Sequence, residues 1–142
     1  MPVLLEITFG STVLLVCALL HILSVARLIR HLRENDHFQP GRTTRHQLLT
    51  VCALFLLLLA SHTIQIYISA FSLWVIGALP GYEAAIYYSL VTYTTVGYGD
   101  VVLEPGYRIA GAMISVTGIL MFGMTTAFVV GLFTRILGEK DL

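Results

Sequence analysis

The sequence predicts an all-α membrane protein with three transmembrane helices and one short re-entrant helix. Three observations carry this reading. Of the 142 residues, 57% are hydrophobic and only 11% charged, against about 25% charged in an ordinary soluble domain. Asp, Glu, Lys and Arg are absent from Ile7 to Ala26, His46 to Tyr82, Ala84 to Gly99 and Ile109 to Thr134, and a spanning helix needs about 20 mostly apolar residues. The third of these runs is too short to span, and the Gly-rich stretch "TTVGYGD" at 94–100 interrupts it.

The first helix is expected over about 7–28 and the second over about 47–74. The short helix follows over about 83–94 and the last over about 107–136. Glu6 and no Lys or Arg precede the first apolar run, while Arg27, Arg30 and Arg33 follow it. A cleaved signal peptide carries positive charge in front, so a retained helix is expected. Pro80-Gly81 breaks the chain before the short helix, and Glu83 falls in that helix's first turn, where a negative charge suits the dipole. Pro105-Gly106 breaks the chain again before the last helix.

Positive charge sets the expected orientation. Arg27, Arg30, Arg33, Arg42 and Arg45 lie between the first two helices, Arg135 and Lys140 follow the last, and Arg108 stands alone on the other side. The positive-inside rule makes the 29–46 loop and the C-terminus cytoplasmic and the N-terminus external, in a multi-pass protein of the cell membrane. Val25, Leu28, Ile29 and Leu32 form an apolar stripe beside the arginines. They suggest an amphipathic extension at the inner surface, with Arg27, Arg30 and Arg33 in contact with anionic lipid. A formal net charge of zero offers nothing to nucleic acid. Cys17 and Cys52 lie in apolar runs as free thiols, without the spacing of a metal site. No nucleophile–base pair or phosphate loop points to an enzyme. His21 and His62 lie inside expected helices, and "SHTIQ" at 61–65 is expected to face protein rather than lipid.

Irregular backbone at membrane depth survives only when buried in protein or lining a water-filled path. Glycines at 97 and 99 let successive carbonyls point the same way. Carbonyl oxygens aimed into a pore replace the hydration shell of a cation.

Thr95-Val96-Gly97-Tyr98-Gly99-Asp100, preceded by "YSLVTYT" and followed by a helix containing "GILMFG" at 118–123, resembles the pore module of tetrameric potassium channels. The resemblance covers about 47–137. It implies an outer helix 47–74, a pore helix 83–94, a selectivity filter 95–99 and an inner helix 107–136. An N-terminal helix with its basic loop (1–46) precedes this module and a short tail (138–142) follows. The implied function is passive K+ conduction by a homotetramer, with K+ as permeant ion and no organic cofactor. Carbonyls of Thr95, Val96, Gly97 and Tyr98 and the Thr95 hydroxyl would coordinate K+, and Gly99 would complete the filter. Tyr87, Tyr88, Val91, Thr94 and Asp100 would support it, with Tyr98 turned away from the pore. Gly118 would be a gating hinge, and Ile119, Phe122, Thr126 and Val130 would face the cavity.

The sequence departs from the family in three places. Tyr87-Tyr88 stands where many members carry Trp-Trp, Val91 where some bacterial members carry a glutamate, and the first helix is extra. With only "GEKDL" after Leu137, a separate gating partner is expected. Two rivals remain open at this level: the pore part of a potassium uptake system, and a non-conducting subunit that joins other channels.

Overall fold

The computed structural model describes residues 1–34 and 44–138. Arg42, Lys140, residues 35–43 of the expected 29–46 loop and the tail 139–142 lie outside the described residues, as does the side chain of Arg33. Four helices follow in order: α1 Val3–Glu34, α2 Thr44–Val75, α3 Tyr82–Tyr93 and α4 Arg108–Gly138. Three contain stretches long and apolar enough to cross a membrane: Val3–Leu32, Arg45–Val75 and Arg108–Thr134. At 1.5 Å per residue, α1 is about 48 Å long, more than the roughly 30 Å hydrocarbon core. All three are apolar nearly all round, as lipid-facing helices are. Leu4, Leu15, Leu48, Phe55, Leu56 and Phe71 are exposed on their outer faces.

α2 ends at Val75, before Pro80-Gly81. Gly77 takes a left-handed φ of 72°. The Ala78 N–H then donates to the Leu73 carbonyl at 3.0 Å and the Gly77 N–H to the Trp74 carbonyl at 3.0 Å. This pair of bonds closes the helix and satisfies two of its terminal carbonyls.

α3 packs against both α2 and α4, while α2 and α4 touch little. α1 fills the remaining space and packs most extensively on α4. The core has two apolar clusters. One gathers Ala70, Leu73, Leu79, Ala85, Tyr93, Leu103, Ile114 and Met121. The other joins Leu28, Leu54 and Leu58, with Val25, Leu32, Phe128, Val129 and Leu132 against them. This second cluster corrects one expectation. Val25, Leu28 and Leu32 pack on α2 and α4 rather than on a lipid surface, because α1 continues unbroken to Glu34 beside both helices.

Glu6 docks α1 onto α4. Its side chain is buried, and Oε2 accepts the Ile109 N–H at 2.9 Å. The first N–H groups of a helix have no partner within it, and a carboxylate there also meets the positive end of the dipole. Glu6→Ala leaves that amide unpaired and is expected to cost about 2 kcal/mol. Thermal unfolding in detergent checks this, with Glu6→Gln falling between the variant and the wild type.

Candidate functional site

α3 stops at Tyr93, and the chain turns without regular structure through 94–100. The Thr94 N–H donates to the Leu90 carbonyl at 3.1 Å and the Thr95 N–H to the Thr92 carbonyl at 3.0 Å. Thr94 Oγ1 donates to the Leu90 carbonyl at 2.8 Å. The Gly97 N–H reaches back to the Val91 carbonyl at 3.0 Å. Val91 therefore supports the stretch through its backbone.

The φ angles of this stretch alternate in sign. Thr95, Gly97 and Gly99 have φ of 62°, 52° and 78°, whereas Val96 and Tyr98 are not positive. Among the described residues Thr95 is the one non-glycine with positive φ. Left-handed backbone costs a non-glycine residue of order 1–3 kcal/mol and persists only where the surroundings impose it. Alternation of right- and left-handed residues gathers N–H groups on one side of the chain. The carbonyls then line the other. Among the described residues, no hydrogen bond is made to the carbonyls of residues 95–99.

Tyr87 braces the far end. Its hydroxyl donates to Asp100 Oδ2 at 2.6 Å, and Asp100 Oδ1 accepts the Val101 N–H at 3.1 Å. The Tyr87 hydrogen bond holds the Asp100 carboxyl below the usual carboxylate range. The same bond pushes the Tyr87 hydroxyl up. Tyr88 turns the other way, and its hydroxyl lies against Gly111 of α4.

α4 holds the end of α3 from behind. Ser115 Oγ donates to the Thr92 carbonyl at 3.0 Å. Gly118 meets the Tyr93 carbonyl so closely that a Cβ there would collide with it. Gly118 thus has a packing role that the expectation of a hinge did not include. Ile119, Thr126 and Val130 are exposed on α4, a face unpartnered within one chain. Phe122 is partly exposed, but its ring also packs on His62, with centroids 4.6 Å apart, and on Tyr93. Arg27 and Arg30 are exposed near the C-terminal end of α1.

Between the two apolar clusters lies a polar layer drawn from all four helices. Gln65 Nε2 is 3.2 Å from His21 Nδ1. His21 Nε2 is 3.1 Å from Thr125 Oγ1. Thr125 Oγ1 is 2.9 Å from His62 Nε2. His62 Nδ1 is 2.9 Å from the Tyr93 hydroxyl, which donates to Gln65 Oε1 at 3.0 Å. Ser61, His62 and Gln65 of "SHTIQ" thus face protein, as expected, while Thr63 and Ile64 are exposed. Thr125 and Tyr93 completed the layer without any signal in their local sequence. The one available clue was chemical, since polar groups inside spanning helices must find protein partners.

A protein-family model described as an ion channel matches residues 52–135, more than half of the chain. The chain belongs to this family, the two-helix potassium-channel pore family, and is an all-α membrane protein. It is 37% identical over 59 residues to the potassium voltage-gated channel protein Shal of Drosophila melanogaster. That stretch is 41% of this chain and 10% of the fly protein, so the chain spans about a tenth of that relative's length. No solved structure matches the chain. The family match begins inside α2 and leaves α1 outside it.

Two outcomes follow from the bracing contacts. Gly118→Ala is expected to destabilise the fold by about 2 kcal/mol through overpacking against Tyr93, read as a lower unfolding temperature. A depressed carboxyl contributes its interaction above the ordinary carboxylate range and loses it as pH falls through the lowered value. Tyr87→Phe should therefore move the Asp100 titration upward, toward an ordinary aspartate, as followed by carboxyl carbon NMR shifts.

Proposed function

We propose that four copies of this chain surround one axis and conduct K+ passively through stacked carbonyl rings. The residues are Thr95, Val96, Gly97 and Tyr98, with the Thr95 hydroxyl as the innermost ring and Gly99 closing the strand. The observation that carries the reading is the alternating backbone at 95, 97 and 99, which lines up carbonyls that have no partner among the described residues. Such groups are not left facing lipid. A cation that sheds its water into them satisfies both partners. Family membership makes the chain an ion channel subunit, and this geometry supports K+ as its permeant ion.

One strand cannot enclose an ion, and several exposed apolar groups support assembly. Val96 is 50%, Tyr98 72% and Val102 69% exposed in the single chain. In the assembly, neighbouring copies would cover Tyr98 and Val102. The C-terminal end of α3, where the dipole is negative, ends beside the strand and favours a cation. Thr94, Val91, Tyr87 and Asp100 brace the strand, and Tyr88 ties α3 to α4.

Residues 47–137 act as the pore module. Ile119, Thr126 and Val130, with the exposed edge of Phe122, line its cavity. Bending at Gly118 would part α4 from the Tyr93 carbonyl, so gating there would also be felt at the filter. Arg27, Arg30 and Arg45 lie at the end opposite the filter, which supports a cytoplasmic location for that end, with the arginines near anionic lipid heads.

The test is the purified protein in liposomes, with potassium on one side and sodium on the other. The reversal potential should approach the potassium equilibrium value, and barium should block the current. Gly99→Ala should abolish selective current, because its φ of 78° favours glycine and strains a residue with a Cβ. A wild-type reversal near zero, with current flowing, sinks the K+ reading. Wild-type selectivity in the glycine variant removes the carbonyl argument.

A further inference from the structure

The polar layer is a closed circuit: Gln65, His21, Thr125, His62, Tyr93 and back to Gln65. A hydroxyl and a neutral imidazole each give one hydrogen and accept another, and an amide does both. Around this circuit every group therefore donates once and accepts once. With the Gln65 amide placing Nε2 toward His21, the hydrogens sit on His21 Nε2 and His62 Nδ1. Turning the amide over reverses every link and moves both hydrogens. In either sense both imidazoles are neutral, and they carry their hydrogens on opposite nitrogens.

An added proton breaks this count. On His62 it places two donors face to face, at Thr125 or at Tyr93. The circuit offers the resulting charge no counterion. All five members lie in runs free of Asp, Glu, Lys and Arg. From α1 the ionisable groups are His21, whose ring centroid is 5.2 Å from that of His62, and Cys17, which lies beside Tyr93. From α2, Ser61 and Gln65 face His21 and are neutral. From α3 there is Tyr93 itself. From α4 come the Thr125 hydroxyl and the Phe122 ring, neither ionisable.

Tyr93 carries any disturbance to the filter. It is the last residue of α3, fully buried, and its carbonyl abuts Gly118. The neighbouring Thr92 carbonyl accepts the N–H of Thr95, the first filter residue. We propose that His62 is a positioning residue for conduction. As a neutral imidazole it ties the Tyr93 hydroxyl to α2 and α4, and its protonation releases the end of α3 and lowers conduction. The inference rests on the conduction reading above.

The test is K+ flux from liposomes with equal pH on both sides, taken from about pH 8 to about pH 4 so that a buried ring with no counterion is reached. Wild-type flux should fall at least about twofold by the acid end, as the circuit charges. His62→Gln supplies a donor and an acceptor that do not titrate. It should keep most of the flux at the alkaline end and lose the acid fall. Absence of K+ flux from the wild type at every pH sinks the conduction reading and this inference with it. Flux with a flat pH profile, or a His62→Gln variant with the wild-type profile, overturns the inference alone. Should the variant fail to assemble, nitrogen NMR of the wild-type histidine rings in liposomes decides. Neutral His21 and His62 with hydrogens on opposite nitrogens, and His62 charging where flux falls, support the proposal. An imidazolium at the alkaline end, or hydrogens on the same nitrogen of both rings, overturns it.

Discussion

Inside a bilayer every backbone amide and carbonyl needs a partner from the protein, because lipid offers none. Three helices meet this requirement along their own length. The stretch from Thr95 to Gly99 does not, and much of the surrounding structure serves to hold it in place. α3 delivers it, the Gly97 amide anchors it to Val91, and Tyr87 fixes its outer end through Asp100. A left-handed threonine is a cost that only such a frame sustains. The carbonyls left over are the feature on which the proposed conduction rests.

The frame itself depends on α1, which lies outside the matched family region. Because α2 and α4 make little direct contact, α1 and α3 mediate much of the packing between them. Glu6 secures the start of α4, and Leu28 closes the opposite end with α2 and α4. His21 enters the polar layer midway. The added helix is therefore integrated at three depths rather than attached at the edge. A short path of hydrogen bonds runs from His21 of α1 through Thr125 and His62 to Tyr93.

The gross architecture was legible because it is written in the positions of charge. Gaps free of Asp, Glu, Lys and Arg marked the three spans, and the Gly-rich interruption marked the re-entrant turn. The irregular backbone at 95–99 was legible because glycine at 97 and 99 answers a local backbone demand. The Tyr87 bond to Asp100 joins two residues that the sequence offered as supports of this stretch, without saying that they pair. What stayed hidden is long-range or local in a different way. Glu6 caps a helix more than one hundred residues away, and nothing near Glu6 announces it. Gly118 read as a hinge because its neighbour across space, the Tyr93 carbonyl, is invisible in sequence. Gly77 closes α2 through a backbone motif that the local sequence does not announce. The stripe of Val25, Leu28 and Leu32 carried the right amphipathic pattern, but sequence does not say whether lipid or protein lies opposite.

The most direct test of the central claim is a cryo-electron microscopy structure of the assembled protein in potassium. The account predicts four copies about one axis, residues 95–99 facing it, ion density between layers of carbonyl oxygens and Tyr98 covered by a neighbouring copy. Filter segments held apart from one another, or carbonyls of residues 95–98 turned away from the axis, would contradict it.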